Sequence, residues 1–474
     1  MSKICERMHA ETEDITKIIL QAAEKARAET SSEPEPGLTG KIKWPIECTV
    51  GPGLEGAIAC STKIGYVNGA KGWLIYQGYD IFDLCAHSTF EEVSYLLLHG
   101  HLPNKEQLDE FCAKLRSFLH IPHTLRTVMN LPLEQLNPMA ALRFGANLMR
   151  QRLTWRDNES ARPSPESAIY TDEDSIPMET KPMGEEHAIY EFRKKKRQRP
   201  KDARKNADDA SDIESCMHLI SGMSSLTAAI KRIREDRLPI EPDPTLSHAG
   251  NLLYMMSGKR PSPEEERLMD VSLILHADHG MNASTFAALV VASTMSDIYF
   301  SVGAGIAALN GPLHGGANEQ VIKLLDEIGS PKNVDAWFDK AASEKRRVMG
   351  FGHRVYKAYD PRARILGPLA DYVTSKSGSK RAKTLLSTAK KLEKKVATTL
   401  GKEKKIFPNV DYYSGLVYES MGIPQDIFTP LFAVSRVSGW TARILEYIAY
   451  NRIFRPRALY VGEFDKKYVA LNKR

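Results

Sequence analysis

Apolar positions recur at helical spacing through most of the chain. Leu108, Phe111, Cys112, Leu115 and Phe118 follow Asn104-Lys-Glu-Gln107, in which the first and fourth side chains can satisfy each other's backbone amides. Ser88-Thr-Phe-Glu91 predicts another such start, for a helix ending at Gly100. Ser262-Pro-Glu-Glu265 predicts a third, with proline at the first helical position and acids in the first turn. Met139, Leu142, Phe144, Leu148 and Met149 continue the pattern over 138–150, and from Met217 it holds almost to the end. Residues 12–29 predict a short amphipathic helix with Ile15, Ile18, Ile19, Ala22 and Ala23 on one side. Only between about 46 and 79 do Gly51, Pro52, Gly53, Gly65, Asn68 and Gly69 cut apolar runs to the length of short strands. Strand and helix alternate nowhere, which argues against a doubly wound sheet. The expected fold is mainly α with a small β-structured entry near the N-terminus.

Two stretches interrupt this pattern. Thr30 to Gly40 reads as a linker, so residues 1–45 are expected to form an N-terminal appendage. Residues 156–215 are first acidic and rich in Pro and Ser, then basic through Arg193-Lys-Lys-Lys-Arg197. Too few apolar side chains are present there to offset ordering entropy, so a disordered or partly helical charged insertion is expected. No aromatic interleaving supports base stacking, and no nucleic-acid partner is expected. Phe286 to Leu309 is apolar enough to span a bilayer, but Asp297 and many small residues argue for two closely packed buried helices instead. No membrane association is expected.

At 474 residues, 42% hydrophobic and 26% charged, with a net charge of +6, the chain has room for several domains and a large core. Its six cysteines are scattered without C-x-x-C pairs or metal-ligand spacing, as in a reduced interior. Acids among the first seventeen residues argue against a transit peptide, so a cytoplasmic location is expected.

The candidate chemistry lies beside glycines. His314 sits in Gly311-Pro-Leu-His-Gly-Gly316, just before what reads as a new helix whose positive end would keep the imidazole neutral. His353 follows Gly350-Phe-Gly352, with Lys357 and Asp360-Pro-Arg362 shortly after. Asp411 lies among aromatic and small residues, where burial would raise its pKa toward a base's working range. His276 and His279, in His-Ala-Asp-His, would share a helix face, but no third ligand cluster follows, and no metal site is expected. Arg436 and Arg455 lie in apolar surroundings, where guanidinium groups need an anionic partner, either a ligand or an ordinary salt bridge. The inventory suits a substrate with several carboxylates and a reaction that removes a weakly acidic proton. It does not single that reaction out.

Gly311-Pro-Leu-His-Gly-Gly-Ala-Asn318, Gly350-Phe-Gly-His-Arg-Val-Tyr-Lys357, Asp360-Pro-Arg362 and Asn409-Val-Asp411 together resemble citrate synthase, in family order and spacing over about 46–155 and 216–462. The resemblance is to the shorter bacterial and archaeal-type members. It implies a two-domain helical fold: a large domain from 46–316 and 423–474, and a small domain at 317–422. It implies condensation of acetyl-CoA with oxaloacetate to citrate and free CoA, the entry step of the tricarboxylic acid cycle, with the thioester as substrate and no cofactor. In this resemblance His314 holds the thioester carbonyl, Asp411 removes the methyl proton and His353 polarises the oxaloacetate carbonyl. His279, Arg362, Arg436 and Arg455 correspond to oxaloacetate contacts, Arg455 reaching in from the second subunit of a homodimer, and Lys357 to a CoA contact. The alternatives are a 2-methylcitrate synthase using propionyl-CoA, since one methylene in a pocket is worth only about 1–3 kcal/mol, and a silent paralogue that only binds.

Overall fold

The computed structural model describes residues 8–150, 209–352, 355–401 and 405–474, apart from residues 32, 36–38, 40–43, 465 and 469. Helix α1 (Glu13–Glu29) precedes an antiparallel meander of β1 (Gly65–Asn68), β2 (Trp73–Tyr76) and β3 (Tyr79–Asp80). Gly65 pairs with Tyr76 and Asn68 with Trp73, while Ile75 pairs with Asp80 across the second turn. Helices follow: α2 (Ile81–His87), α3 (Phe90–His99), α4 (Lys105–Phe118), α5 (Pro122–Met129) and α6 (Pro138–Leu148). After them come α7 (Asp209–Ile233), α8 (His248–Ser257), α9 (Pro263–His276), α10 (Ala283–Ser293) and α11 (Ile298–Leu309). The chain continues through α12 (Ala317–Ile328), α13 (Val334–Ser343), α14 (Pro361–Lys376), α15 (Lys380–Val396), α16 (Val410–Ser420) and α17 (Phe428–Ile448). Mainly α with a small β entry, this is the expected class.

Local signals explain most boundaries. α4 and α9 open with complete reciprocal caps, at Asn104 with Gln107 and at Ser262 with Glu265. α3 starts one residue later than expected: Thr89 Oγ1 accepts from the Glu92 amide at 3.3 Å, and Ser88 instead donates to the Glu92 carboxylate. Gly100, at φ 81°, ends it in the left-handed conformation. Asp297 breaks the long apolar run into α10 and α11 by accepting from the amides of Tyr299 and Phe300 at 3.0 and 3.1 Å.

α17 is buried continuously from Phe428 to Ile444 and packs against α7, α9, α10 and α11. α12 to α16 pack largely on one another, with α14 against α16 and α15 against α13, α12 and α16. α1 is no appendage. Ile15, Ile19, Ala22, Ala23 and Ala26 are buried against α2 and α14, and Glu29 pairs with Arg364. The sequence shows the apolar stripe of α1 but not the groove that covers it. Most of the expected 156–215 insertion lies outside the described residues; its last part, from Asp209, belongs to α7, where Glu214 pairs with Lys114 at 2.6 Å. Among the described residues no helix is long and apolar enough to cross a membrane.

Candidate active site

α9 ends at His276, and the chain turns through Asp278 and Gly280 (φ 59°) to Asn282, which caps α10 by accepting from the Thr285 amide at 3.1 Å. His276 and His279 therefore do not share a helix face, contrary to the reading from spacing. α17 fastens this turn from beneath. Arg443 grips Asp278 through two contacts, Nε to Oδ1 at 2.6 Å and Nη2 to Oδ2 at 2.7 Å, both partners fully buried. Arg436 Nε donates to the His276 carbonyl at 2.6 Å. The backbones come so close that a Cβ on Gly439 would lie 2.2 Å from the Ala277 carbonyl oxygen. From the sheet, Tyr76 Oη donates to the Asp278 carbonyl at 2.8 Å.

His314 lies in the tight loop between α11 and α12, where Gly315 N donates to the Leu309 carbonyl at 2.9 Å. Its Nε2 is 2.8 Å from Ser284 Oγ and 3.3 Å from the Ser284 amide. Burial, reinforced by the positive charge of Arg436, lowers its pKa to about 4, so the ring is neutral. The neutrality expected from a helix end is thus produced mainly by desolvation.

Asp411 stands in the first turn of α16, capped by Asn409, whose Oδ1 accepts from the Asp411 amide at 3.1 Å. Asn409 also donates from Nδ2 to the Gly352 carbonyl at 3.0 Å, and its amide donates to the Gly350 carbonyl at 2.9 Å. Gly350 and Gly352, at φ 81° and 77°, let this strand-like zipper form. It sets the residue before His353 against the residue two before Asp411; His353 and Arg354 lie outside the described residues. Among the described residues, Oδ1 of Asp411 is buried without a hydrogen-bond partner. Burial pushes its pKa up to about 7; Arg362 and Arg436 oppose the rise and Asp360 adds to it.

Arg362 and Arg436, both buried, are treated differently. Arg362 is held by Asp360, Nε to Oδ1 at 3.0 Å and Nη2 to Oδ2 at 2.8 Å, and the same carboxylate accepts from the amides of Arg362 and Val410 at 3.0 and 3.2 Å. Asp360 thereby joins the starts of α14 and α16. Arg436 has no carboxylate within ion-pair reach among the described residues; its guanidinium lies 4.7 Å from the Phe432 ring centre. Burial lowers its pKa to about 10, opposed by the negative charge of Asp278, so the guanidinium stays charged. Its charge is felt by His314, Asp411 and His276 alike.

His279 is buried with Nε2 3.2 Å from the Tyr356 hydroxyl. Lys357 is exposed, its amide donating to the Gly69 carbonyl at 2.8 Å. Arg455 is exposed on the segment after α17 and, among the described residues, joins no hydrogen bond or ion pair with the others. Nothing in the sequence hints at Ser284 as a member; only the structure brings it here. Among the described residues no group of three or more His, Cys, Asp or Glu is disposed to hold a metal ion.

A carboxyl poised near neutrality, a neutral histidine and a buried guanidinium with no ion-paired carboxylate among the described residues define an enzyme site for a small carboxylate substrate and a proton-transfer step. The family model for the citrate synthase C-terminal domain matches residues 53–457. Citrate synthase of Deinococcus radiodurans is 37% identical over 425 residues, 90% of this chain and 99% of the relative. Citrate synthase 2 of Bacillus subtilis is 39% identical over 423 residues, 89% and 98% of the two chains. A solved ternary complex of carboxymethyl coenzyme A and oxaloacetate with citrate synthase from Thermoplasma acidophilum superposes with a TM-score of 0.73 at 33% identity, covering 88% of this chain and 97% of that one. The chain belongs to the citrate synthase family.

Proposed function

We propose that the chain condenses acetyl-CoA with oxaloacetate to give citrate and free CoA, with Asp411 as the base. The observation that carries this is the pairing of Asp411, whose buried Oδ1 has no partner among the described residues and whose pKa is about 7, with Arg436, buried without an ion-paired carboxylate among those residues. Asp411 takes a proton from the thioester methyl group, and His314, neutral, donates a hydrogen bond to the developing enolate oxygen. The enol carbon attacks the keto carbon of oxaloacetate while His353 polarises and then protonates its oxygen. Arg362, Arg436 and His279 hold the dicarboxylate. Water then adds to the citryl thioester, the carbon–sulfur bond breaks, and the thiol leaves with a proton. Lys357, which is exposed, is the proposed contact to CoA.

Residues 317–422 are proposed as a small domain closing over the site, supported by the mutual packing of α12 to α16. A homodimer is proposed with it. The segment after α17 exposes Tyr450, Ile453, Leu459, Val461 and Tyr468, apolar area that a second copy would cover, and Arg455 stands among them as a donor to the partner's site. A cytoplasmic setting fits the free cysteines at 48, 60, 85, 112 and 216. The propionyl-CoA alternative is not favoured, since the relatives at 37–39% identity are citrate synthases. The test is thiol release from acetyl-CoA, expected only when oxaloacetate is present; equal release without the keto acid would refute condensation.

A further inference from the structure

Ser284 has more neighbours than its single hydrogen can serve. Its Oγ lies 2.8 Å from His314 Nε2 and 2.7 Å from Asn282 Oδ1, both able to accept. Trp440 Nε1 donates to the same oxygen at 3.3 Å, and an indole N–H can only donate. The Ser284 amide also faces His314 Nε2, at 3.3 Å. Trp440 and Ser284 are both fully buried. The indole is wedged against Gly305, where a Cβ would come within 3.1 Å of the ring. Arg436, Trp440 and Arg443 recur at i, i+4 and i+7 on α17, and all three reach the segment 276–284.

We propose that Trp440 is a positioning residue that sets the proton of His314 through Ser284. A hydroxyl oxygen that accepts a hydrogen bond becomes a better donor and a poorer acceptor. With the indole N–H on its oxygen, the serine hydroxyl turns its hydrogen to Nε2. The opposite arrangement, in which Nε2–H donates to Oγ and the hydroxyl serves Asn282, is penalised. Two donors, the Ser284 hydroxyl and amide, then face Nε2, so the ring proton resides on Nδ1, the nitrogen left to donate to the thioester carbonyl. Asn282 Oδ1 keeps its bond from the Thr285 amide at 3.1 Å and is not orphaned. The inference rests on His314 acting as the thioester donor.

The test is a double-mutant cycle on kcat and on KM for oxaloacetate. Trp440→Phe is expected to lower kcat about three- to tenfold, the worth of one hydrogen bond, with KM for oxaloacetate unchanged. Ser284→Ala lowers kcat at least as far, and Trp440→Phe then adds no further loss in the Ser284→Ala background. Because Trp440→Phe empties part of the core, benzothienylalanine placed at position 440 by nonsense suppression serves as a second variant, with the indole's shape but no N–H. It should show the same fall in kcat. Multiplicative losses in the double mutant, or full activity of the benzothienyl variant, would overturn the proposal. Wild-type protein inactive toward acetyl-CoA and oxaloacetate would instead overturn the assigned reaction.

Discussion

Asp411→Asn is expected to abolish turnover and, at the same time, to stabilise the folded protein above neutral pH. Asp411 Oδ1 has no hydrogen-bond partner among the described residues, so the near-isosteric amide forfeits none of those. In the folded state the carboxyl titrates near about 7, against 3.8 for the ordinary group. Between those values the native protein keeps a proton that the unfolded chain has released, so this residue makes stability fall as pH rises from about 4 to about 7, after which its effect is level. At about 1.4 kcal/mol for each pH unit separating the two values, the ionised carboxylate costs the fold of the order of 4 kcal/mol at about pH 8 and under about 1 kcal/mol at about pH 4. Asparagine carries no such cost. Thermal melts of the two ligand-free proteins from about pH 4 to pH 8.5 should show the variant several degrees more stable at the alkaline end, at roughly 2 °C per kcal/mol for a large chain. The difference should close at the acid end. A gap that does not change with pH, or a less stable variant at about pH 8, would refute the reasoning.

Arg436→Ala should raise KM for oxaloacetate about 10- to 100-fold, the worth of charge-assisted hydrogen bonds to one carboxylate, as measured by steady-state kinetics. Asp360→Asn removes a negative charge that raises the Asp411 pKa, so the acid limb of the kcat/KM profile should move to lower pH. It also leaves Arg362 buried without its counter-charge, at a cost of about 3–5 kcal/mol in denaturant unfolding. His314→Ala and Arg455→Ala, each inactive alone, should recover activity when refolded together, because a mixed dimer holds one intact site. Random reassortment would restore about a quarter of all sites, and no recovery despite proven subunit exchange would remove Arg455 from the partner's site.

Local chemistry was legible in the sequence where neighbours along the chain decide it. The caps at Asn104 and Ser262, the left-handed stop at Gly100 and the break at Asp297 all follow from residues within a few positions. The raised pKa of Asp411 was also legible, since aromatic and small neighbours foretell burial. What escaped depends on distant partners. The early end of α9 is held by Arg443 on Asp278, 165 residues away. The docking of α1 depends on surfaces of α2 and α14 that no periodicity in α1 reveals. Ser284 looks like any helix-start serine until the 314 loop folds over it, 30 residues on. Arg362 and Arg436 read alike in sequence, yet one is neutralised by Asp360 and the other by no described carboxylate.

The central claim, that Asp411 removes one methyl proton and a carbon–carbon bond then forms, is tested most directly by the mass of the product made from methyl-trideuterated acetyl-CoA. With oxaloacetate present, wild-type protein should yield citrate that retains two deuterons, and Asp411→Asn should yield none. Acetate carrying all three deuterons, released with or without oxaloacetate, would mean simple thioester hydrolysis and contradict the account.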